Sequence, residues 1–462
     1  MHILRAAVLI TVVATLAACT TAVEGSPVTD GSVVTKHDSN TPVVDPSFVK
    51  NTDGSEIDML AATVVTDVLS YWRQTFPATF GSPWQDLSGG FYSVDTAREE
   101  SDAPPCARRS IDVEGNAFYC PTEDVIAWDR AALLPVLRDR FGEAAVMLVL
   151  AHEMGHAVQR RAGLTVAEQR RNPEKFPTIL VEAQADCYAG AFVRWVADGK
   201  AEHLQGSKDR LDSALESLIT FRDPIGTEAT DKGAHGDAFD RVSAFQDGFD
   251  QGVKLCADMS VENRTFTLRG FLNPDDAQRG GNLPFEQLLD AIKDDLNTYF
   301  QTVVVGPQGK QWTALPLKPV DDKPDCSGDQ GPVAFCAKST EINVATKGEL
   351  PELHTDIGDY ATGTILASRF GLAALASLGK PLDGPDAQRQ VLCLAGAYTG
   401  TLITRTQGFT LSPGDLDEAI QVLLRFDYAG RDGAGKAIPT GFERVSAFRG
   451  GAVQGVPACR LA

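Results

Sequence analysis

Beyond its first sixteen residues the 462-residue chain has no apolar run long enough to cross a bilayer, which argues against a helix-spanned membrane protein. It is also short of positive charge. Lysine and arginine number 42 against 62 aspartates and glutamates, and the net charge of −20 argues against nucleic acid or an anionic surface as a partner. Histidine is scarce, with seven in all, and two of the seven, His152 and His156, stand four residues apart.

The one markedly apolar stretch is at the start. Arg5, an apolar run from Ala6 to Leu16 and then Leu16-Ala17-Ala18-Cys19 read as a secretory signal over residues 1–18 that ends in a lipobox. Cleavage before Cys19 would leave that cysteine to carry lipid, the chain's only membrane contact. The expected location is the extracytoplasmic face of the cell membrane. The alternative is a simple cleaved signal with Cys19 incidental. Residues 19–55, rich in Thr, Val, Ser, Pro, Asp and Gly without periodicity, read as a disordered tether. What remains suffices for two domains, expected at 56–262 and 280–462.

His152-Glu153-Met154-Gly155-His156 lies between Met147-Leu148-Val149-Leu150 and Ala157-Val158, a pattern of helical period. A helix brings i and i+4 to one face, so both imidazoles can meet one Zn²⁺ while Glu153 turns about 100° aside toward the open coordination position. A bare motif of this kind also occurs on solvated helices, but polar groups inside so apolar a run need partners. Gly163 behind Arg160-Arg161 marks the helix end. A second helix is expected from Thr178, after Pro177, where Glu182 and Asp186 again share a face. Glu182 can complete a His-His-Glu set, and Asp186 can accept the spare N–H of a ligand histidine.

With these residues in view the chain resembles the neutral zinc metallopeptidases, a bacterial family related to the thermolysin-like gluzincins. The matching stretches are Phe118-Tyr119-Cys120-Pro121, His152 to Gln159, Glu182-Ala183-Gln184-Ala185-Asp186-Cys187-Tyr188-Ala189-Gly190, and His235-Gly236 with Arg241, Phe245 and Gly248. The resemblance covers roughly residues 57 to 260. It implies an α+β, zincin-like domain, mainly helical with a small sheet. It also implies His152, His156 and Glu182 as zinc ligands, Glu153 as general base and Asp186 behind the ligands.

The C-terminal half holds an echo of the first. Residues 239–256 read FDRVSAFQDGFDQGVKLC and residues 442–459 read FERVSAFRGGAVQGVPAC, identical at eleven of eighteen positions. Asp67, Tyr71, Trp84 and Leu87 fall opposite Asp295, Tyr299, Trp312 and Leu315 at one offset, so both ends of an internal repeat align. Within it His152, Glu153 and His156 face Ser368, Arg369 and Leu372, while Glu182 and Asp186 face Gln388 and Leu392. His235 faces Ile438. The expected architecture is therefore a duplicated domain whose second copy lacks the metal site, with one Zn²⁺ per chain; the packing of the two copies is open.

With Cys19 set aside, eight cysteines fall four to a copy, and pairing within copies is the economical arrangement in an oxidising compartment. The expected bridges are Cys106–Cys120, Cys187–Cys256, Cys326–Cys336 and Cys393–Cys459. Residues 117–120 and 124–128 look like short strands, the edge of which can pair with extended substrate. Residues 164–177 look like a solvated polar loop. His203 and His354, without motif context, are expected at the surface.

Three protein ligands leave zinc one position for water, which Glu153 would deprotonate for attack on a carbonyl carbon. His235, present in one copy and absent from the other, is the candidate donor to the oxyanion, against the plainer reading of a surface histidine. The expected function is a lipid-anchored zinc metallopeptidase acting on a protein or peptide of the cell envelope. Two alternatives remain, an amidase or endopeptidase of wall peptides, and a noncatalytic envelope adaptor that binds partners through the degenerate copy.

Overall fold

The computed structural model describes residues 44–98, 102–206, 209–231, 233–326 and 328–461; the expected signal, Cys19 and most of the expected tether lie outside the described residues. The first half runs β1 (Val49–Lys50), α1 (Glu56–Phe80), β2 (Gly90–Val94), β3 (Ala117–Cys120), β4 (Val125–Asp129), α2 (Leu133–Phe141), α3 (Glu143–Arg161), α4 (Val166–Arg171), α5 (Thr178–Ala197), α6 (Asp209–Thr220), α7 (Ala238–Gln251) and α8 (Val253–Ala257). After α9 (Pro274–Gln278) come α10 (Phe285–Tyr299), β5 (Leu317–Val320), β6 (Val333–Cys336), β7 (Glu341–Ala345), α11 (Glu349–Asp356), α12 (Asp359–Ser377), α13 (Pro385–Ile403), α14 (Asp415–Arg425) and α15 (Gly441–Gln454). Helices dominate and the strands are few, as the α+β expectation has it.

The two sheets have matching topology. In the first, ordered β1-β2-β4-β3, β2 runs parallel and β3 antiparallel to β4; in the second, ordered β5-β7-β6, β5 runs parallel and β6 antiparallel to β7. The extra strand β1 corrects the tether's boundary. Val49 is buried and pairs with Phe91, and Lys50 donates to the Gly89 carbonyl and the Tyr92 hydroxyl, both at 3.0 Å, so the ordered chain begins before residue 55. Residues 164–177 also differ from the expected loop. Thr165 accepts the Glu168 N–H at 3.1 Å and starts the short α4, none of whose residues is buried.

The metal-motif helix α3 is apolar on nearly every face from Ala144 to Leu150, so it threads the core rather than lying on it. It stops where Gly163 turns to φ +106° and Leu164 donates back to the Gln159 carbonyl at 2.9 Å. Two glycine-lined crossings repeat between the halves. A Cβ on Gly190 would overlap the Phe245 carbonyl oxygen and one on Gly248 that of Cys187, which lets α5 and α7 touch backbone to backbone. Gly396 against Phe448 and Gly451 against Cys393 do the same for α13 and α15. Disulfides close beside both crossings, Cys187–Cys256 with Cα atoms 5.6 Å apart and Cys393–Cys459 at 5.3 Å; Cys106–Cys120 and Cys326–Cys336 are bridged at the sheets.

The halves are not beads. One hydrophobic core runs through both, and Phe249 packs on Phe442 with ring centroids 4.9 Å apart. Each half also caps a helix of the other: Asp212 on α6 accepts the Gly441 and Phe442 N–H groups that open α15, at 2.6 and 2.7 Å, and Asp417 on α14 accepts the Ala238 N–H that opens α7, at 2.7 Å. Residues 263–279, outside both expected domains, bond to both halves. Arg264 meets Asp247 at 2.8 Å, and Arg269 donates to the Ile403 and Leu411 carbonyls at 3.2 and 2.8 Å. Neither lone histidine is a surface residue. His203 Nδ1 lies 2.7 Å from Asp67 in a largely buried pair, and His354 Nε2 lies 2.9 Å from the Leu283 carbonyl oxygen with its ring against Phe285.

The crossings make a graded prediction within one helix. Gly451→Ala should cost about 1–3 kcal/mol by forcing α15 off α13. Gly450→Ala, its neighbour with open space around the added methyl, should be neutral or stabilising by up to about 1 kcal/mol. Chemical denaturation of the two variants compares them, and equal losses would mean the crossing tolerates separation.

Candidate metal centre

Three elements converge on the motif. α3 supplies His152, Glu153 and His156, α5 supplies Glu182 and Asp186, and α7 supplies Arg241. The approach of α3 to α5 is set at Gly155, where a Cβ would come within 2.9 Å of the Ala185 Cα. That contact brings His152 Nε2 to 3.2 Å from Glu182 Oε2 and 3.2 Å from His156 Nε2, with His156 Nε2 at 3.5 Å from Glu182.

The other ring nitrogens are already committed. His152 Nδ1 lies 2.8 Å from Asp186 Oδ1, and His156 Nδ1 lies 3.0 Å from Gln159 Oε1. Gln159 is oriented by its own amide group, which donates to the Val181 carbonyl at 2.6 Å and to Gln184 Oε1 at 3.2 Å. With each ring neutral and its hydrogen on Nδ1, both Nε2 atoms would turn lone pairs toward the Glu182 carboxylate. One proton cannot satisfy three such acceptors, whereas a cation can. A tetrahedral ion with bonds of about 2.0–2.1 Å sets its ligand atoms roughly 3.3 Å apart, close to the separations seen. His152, His156 and Glu182 fit zinc by donor type and by spacing.

Asp186 is the electrostatic hinge of the site. Burial pushes its carboxyl up, yet Arg241 and His152 outweigh burial and hold it down at about 2. Arg241 forks onto it, Nε to Oδ2 and Nη2 to Oδ1, both at 2.9 Å, and its remaining arm donates to the Phe221 carbonyl at 2.8 Å. Glu153 is buried beside the ligands. Burial raises its pKa, with His152 and His156 pulling the other way. Its Oε2 accepts the Tyr119 N–H at 2.8 Å, which fixes the carboxylate against the edge strand β3 and leaves Oε1 as the oxygen to move a proton.

His235 stands half exposed in the loop before α7, with Asp223 accepting from its backbone N–H at 2.6 Å and facing its Nδ1 at 3.1 Å. That bond raises its pKa against burial, and the Glu182 charge adds to it, so the ring lies within the field of the site. The neighbouring Gly236, at φ +111°, sits against Arg241 and Ile179. Three contributors had no role in the sequence reading: Arg241, Gln159 and Asp223. A signal existed for the first, since arginine stands in both of the aligned segments 239–256 and 442–459, although Leu392 aligns with Asp186. In the second half Arg444 instead donates to the Leu423, Leu424, Ile438 and Pro439 carbonyls.

At the other aligned places the polar side chains are spent on local partners. Ser368 donates to the Ile365 carbonyl at 2.8 Å, and Gln388 donates to Asp432 at 2.9 Å. Arg369, fully buried, spends its guanidinium on Gln330 at 3.2 Å and the Arg431 carbonyl at 2.5 Å. Gln330 in turn both donates to and accepts from Phe335 of β6, at 3.1 and 3.0 Å, and so covers the edge-strand position that faces Tyr119 in the alignment.

Residues 2–259 match the family described as "Putative neutral zinc metallopeptidase", more than half of the chain, and the protein belongs to that family. The uncharacterized protein YpfJ of Escherichia coli (strain K12) is 29% identical over 154 residues, which cover 29% of this chain and 50% of YpfJ. The uncharacterized proteins Mb2605 of Mycobacterium bovis and Rv2575 of Mycobacterium tuberculosis (strain ATCC 25618 / H37Rv) are each 30% identical over 156 residues, covering 30% of this chain and 53% of their own length. The chain thus spans about half the length of these curated relatives. No solved structure matches.

Asp186→Asn should weaken zinc binding by about 10–100-fold, because the amide neither holds His152 Nδ1–H as firmly nor neutralises Arg241. Competition with a chromophoric chelator measures it. Unchanged affinity in a folded variant would detach Asp186 from the metal centre.

Proposed function

We propose that the protein is a lipid-anchored, extracytoplasmic zinc metallopeptidase that cleaves a protein or peptide of the cell envelope, with one zinc per chain. The observation that carries the reading is the convergence of His152 Nε2, His156 Nε2 and a Glu182 carboxylate oxygen, with Glu153 buried beside them. A structural metal site would have no use for Glu153. Zinc, when bound, supplies Lewis acidity to a scissile carbonyl and to the attacking water.

The chain's own residues do the rest. Asp186 holds the His152 tautomer, Gln159 holds that of His156, and Arg241 holds Asp186. Tyr119 anchors one oxygen of Glu153, so Oε1 receives the water's proton and hands it to the leaving amine. Burial, which raises the Glu153 pKa, makes it the stronger base for that step. His235, with Nδ1–H turned to Asp223, offers an Nε2–H to the developing oxyanion as the imidazolium, the form its bond to Asp223 favours. The second half is a degenerate copy of the same domain, kept for its fold. Supporting this are the matched sheet topologies, the repeated glycine crossings and the absence of metal-type donors at Ser368, Leu372 and Gln388.

Glu153→Gln is expected to keep one zinc by elemental analysis, since the amide oxygen can still accept from Tyr119, and to lose hydrolysis by several orders of magnitude. Comparing envelope proteomes of cells with the native and the Glu153→Gln chain should reveal uncleaved substrate; near-native turnover in the variant would refute the mechanism. His235→Ala should lower turnover by roughly 10²-fold with zinc content unchanged. A change confined to thermal stability would make His235 structural.

A further inference from the structure

Away from the zinc centre, the described residues bring one other group of possible ligands together. Asp359 opens α12, and Asp415 and Glu418 lie in the first turn of α14, each with a carboxylate oxygen within 4.8 Å of the others. They are 3, 3 and 4% exposed. Each spends one oxygen on a backbone N–H: Asp359 Oδ2 on Leu283 at 2.7 Å, Asp415 Oδ2 on Ser412 at 2.7 Å and Glu418 Oε2 on Tyr360 at 2.8 Å. The remaining oxygen of each aspartate, Oδ1, is buried with no hydrogen-bond partner at all. Two orphaned acceptors inside a cluster of like charge are an expensive arrangement, relieved either by protons, since burial raises the pKa of all three carboxyls, or by a cation among them.

The surrounding cations do not fill that role. Arg269, whose charge reaches Asp415, gives both terminal nitrogens to the Ile403 and Leu411 carbonyls. Arg279, whose charge reaches Asp359, leans on Asp276 at 3.7 Å. Asp276 and Asp417 stand close enough to Asp359 and Glu418 to add further negative charge. Room is made at Gly358, where a Cβ would collide with the Glu418 carboxylate, so α12 begins directly against that group.

We propose that Asp359, Asp415 and Glu418 bind a divalent cation in the second half, separate from the zinc site. All the donors are oxygen, with no imidazole or thiolate among them, which selects a hard ion, and calcium suits a cluster whose oxygens spread over up to 4.8 Å. The ion would join the connecting segment at Leu283, the start of α12 and the start of α14. Asp417, one residue before Glu418, caps α7, so the ion would also steady the helix that carries Arg241.

The test is calorimetric titration of calcium alone into the full chain, stripped by chelator and reloaded with one zinc. One calcium per chain is expected, with a dissociation constant of about 10⁻⁵–10⁻³ M and a higher thermal midpoint. Asp415→Asn and Glu418→Gln keep acceptors for Ser412 and Tyr360 and should weaken calcium at least ~10-fold, with zinc content unchanged. Terbium luminescence sensitised by tyrosine and displaced by calcium gives a readout on the unmutated chain, since Tyr360 adjoins Asp359. No heat, no midpoint shift and no displaceable terbium up to about 10 mM calcium would overturn the proposal. So would calcium binding of native strength in folded forms of both variants.

Discussion

One carboxylate with no exposed surface holds this structure's chemistry in place. Asp186 on α5 takes a hydrogen bond from His152 on α3 and a forked ion pair from Arg241 on α7, and Arg241 reaches on to the end of α6. Four helices are thereby indexed to one another at hydrogen-bond precision. Buried ion pairs of this kind seldom add much net stability, because desolvation offsets most of their attraction. Their effect is geometric, and breaking one leaves an uncompensated charge inside. The orientation of a single imidazole thus depends on a residue 55 positions further along the chain from Asp186.

The second half shows the same frame without that anchor. Leu392 stands where Asp186 would be, and Arg444, the counterpart of Arg241, turns its donors to four backbone carbonyls. Arg369, where Glu153 would be, is swallowed by carbonyls and Gln330. The frame survives because glycine at the crossings, disulfides beside them and apolar faces on α12 and α13 hold it together without the polar centre.

Much of the first site was legible in the sequence because its residues sit at helical spacing inside apolar runs: His152 with His156, and Glu182 with Asp186. The four cysteine pairings were legible for a related reason, since the repeat limits the choices. Arg241 was legible only as part of the family match, not in its role, because a lone arginine carries no periodic signature and its meaning depends on which helix it crosses. The reciprocal caps escaped notice although residues 211–221 and 416–426 share Leu, Asp, Ala, Leu and Phe at five of eleven positions. A match so short is visible only once the helices are seen to face each other. β1 escaped as well, since two residues give no alternation to read, and so did the Asp359, Asp415 and Glu418 cluster, which draws on separate helices.

The exchange of caps makes each half a support of the other. α7 begins on an N–H held by Asp417 and carries Arg241 one turn later, so the second half holds one end of the lever that orients His152. Deleting the second half would uncap the helix on which the geometry around Asp186 depends. Substitutions there at Ser368 or Gln388 would leave α7 capped, whereas any that shift α14 would not. The second half thus serves as part of the first half's scaffold through Asp417, whatever its own chemistry.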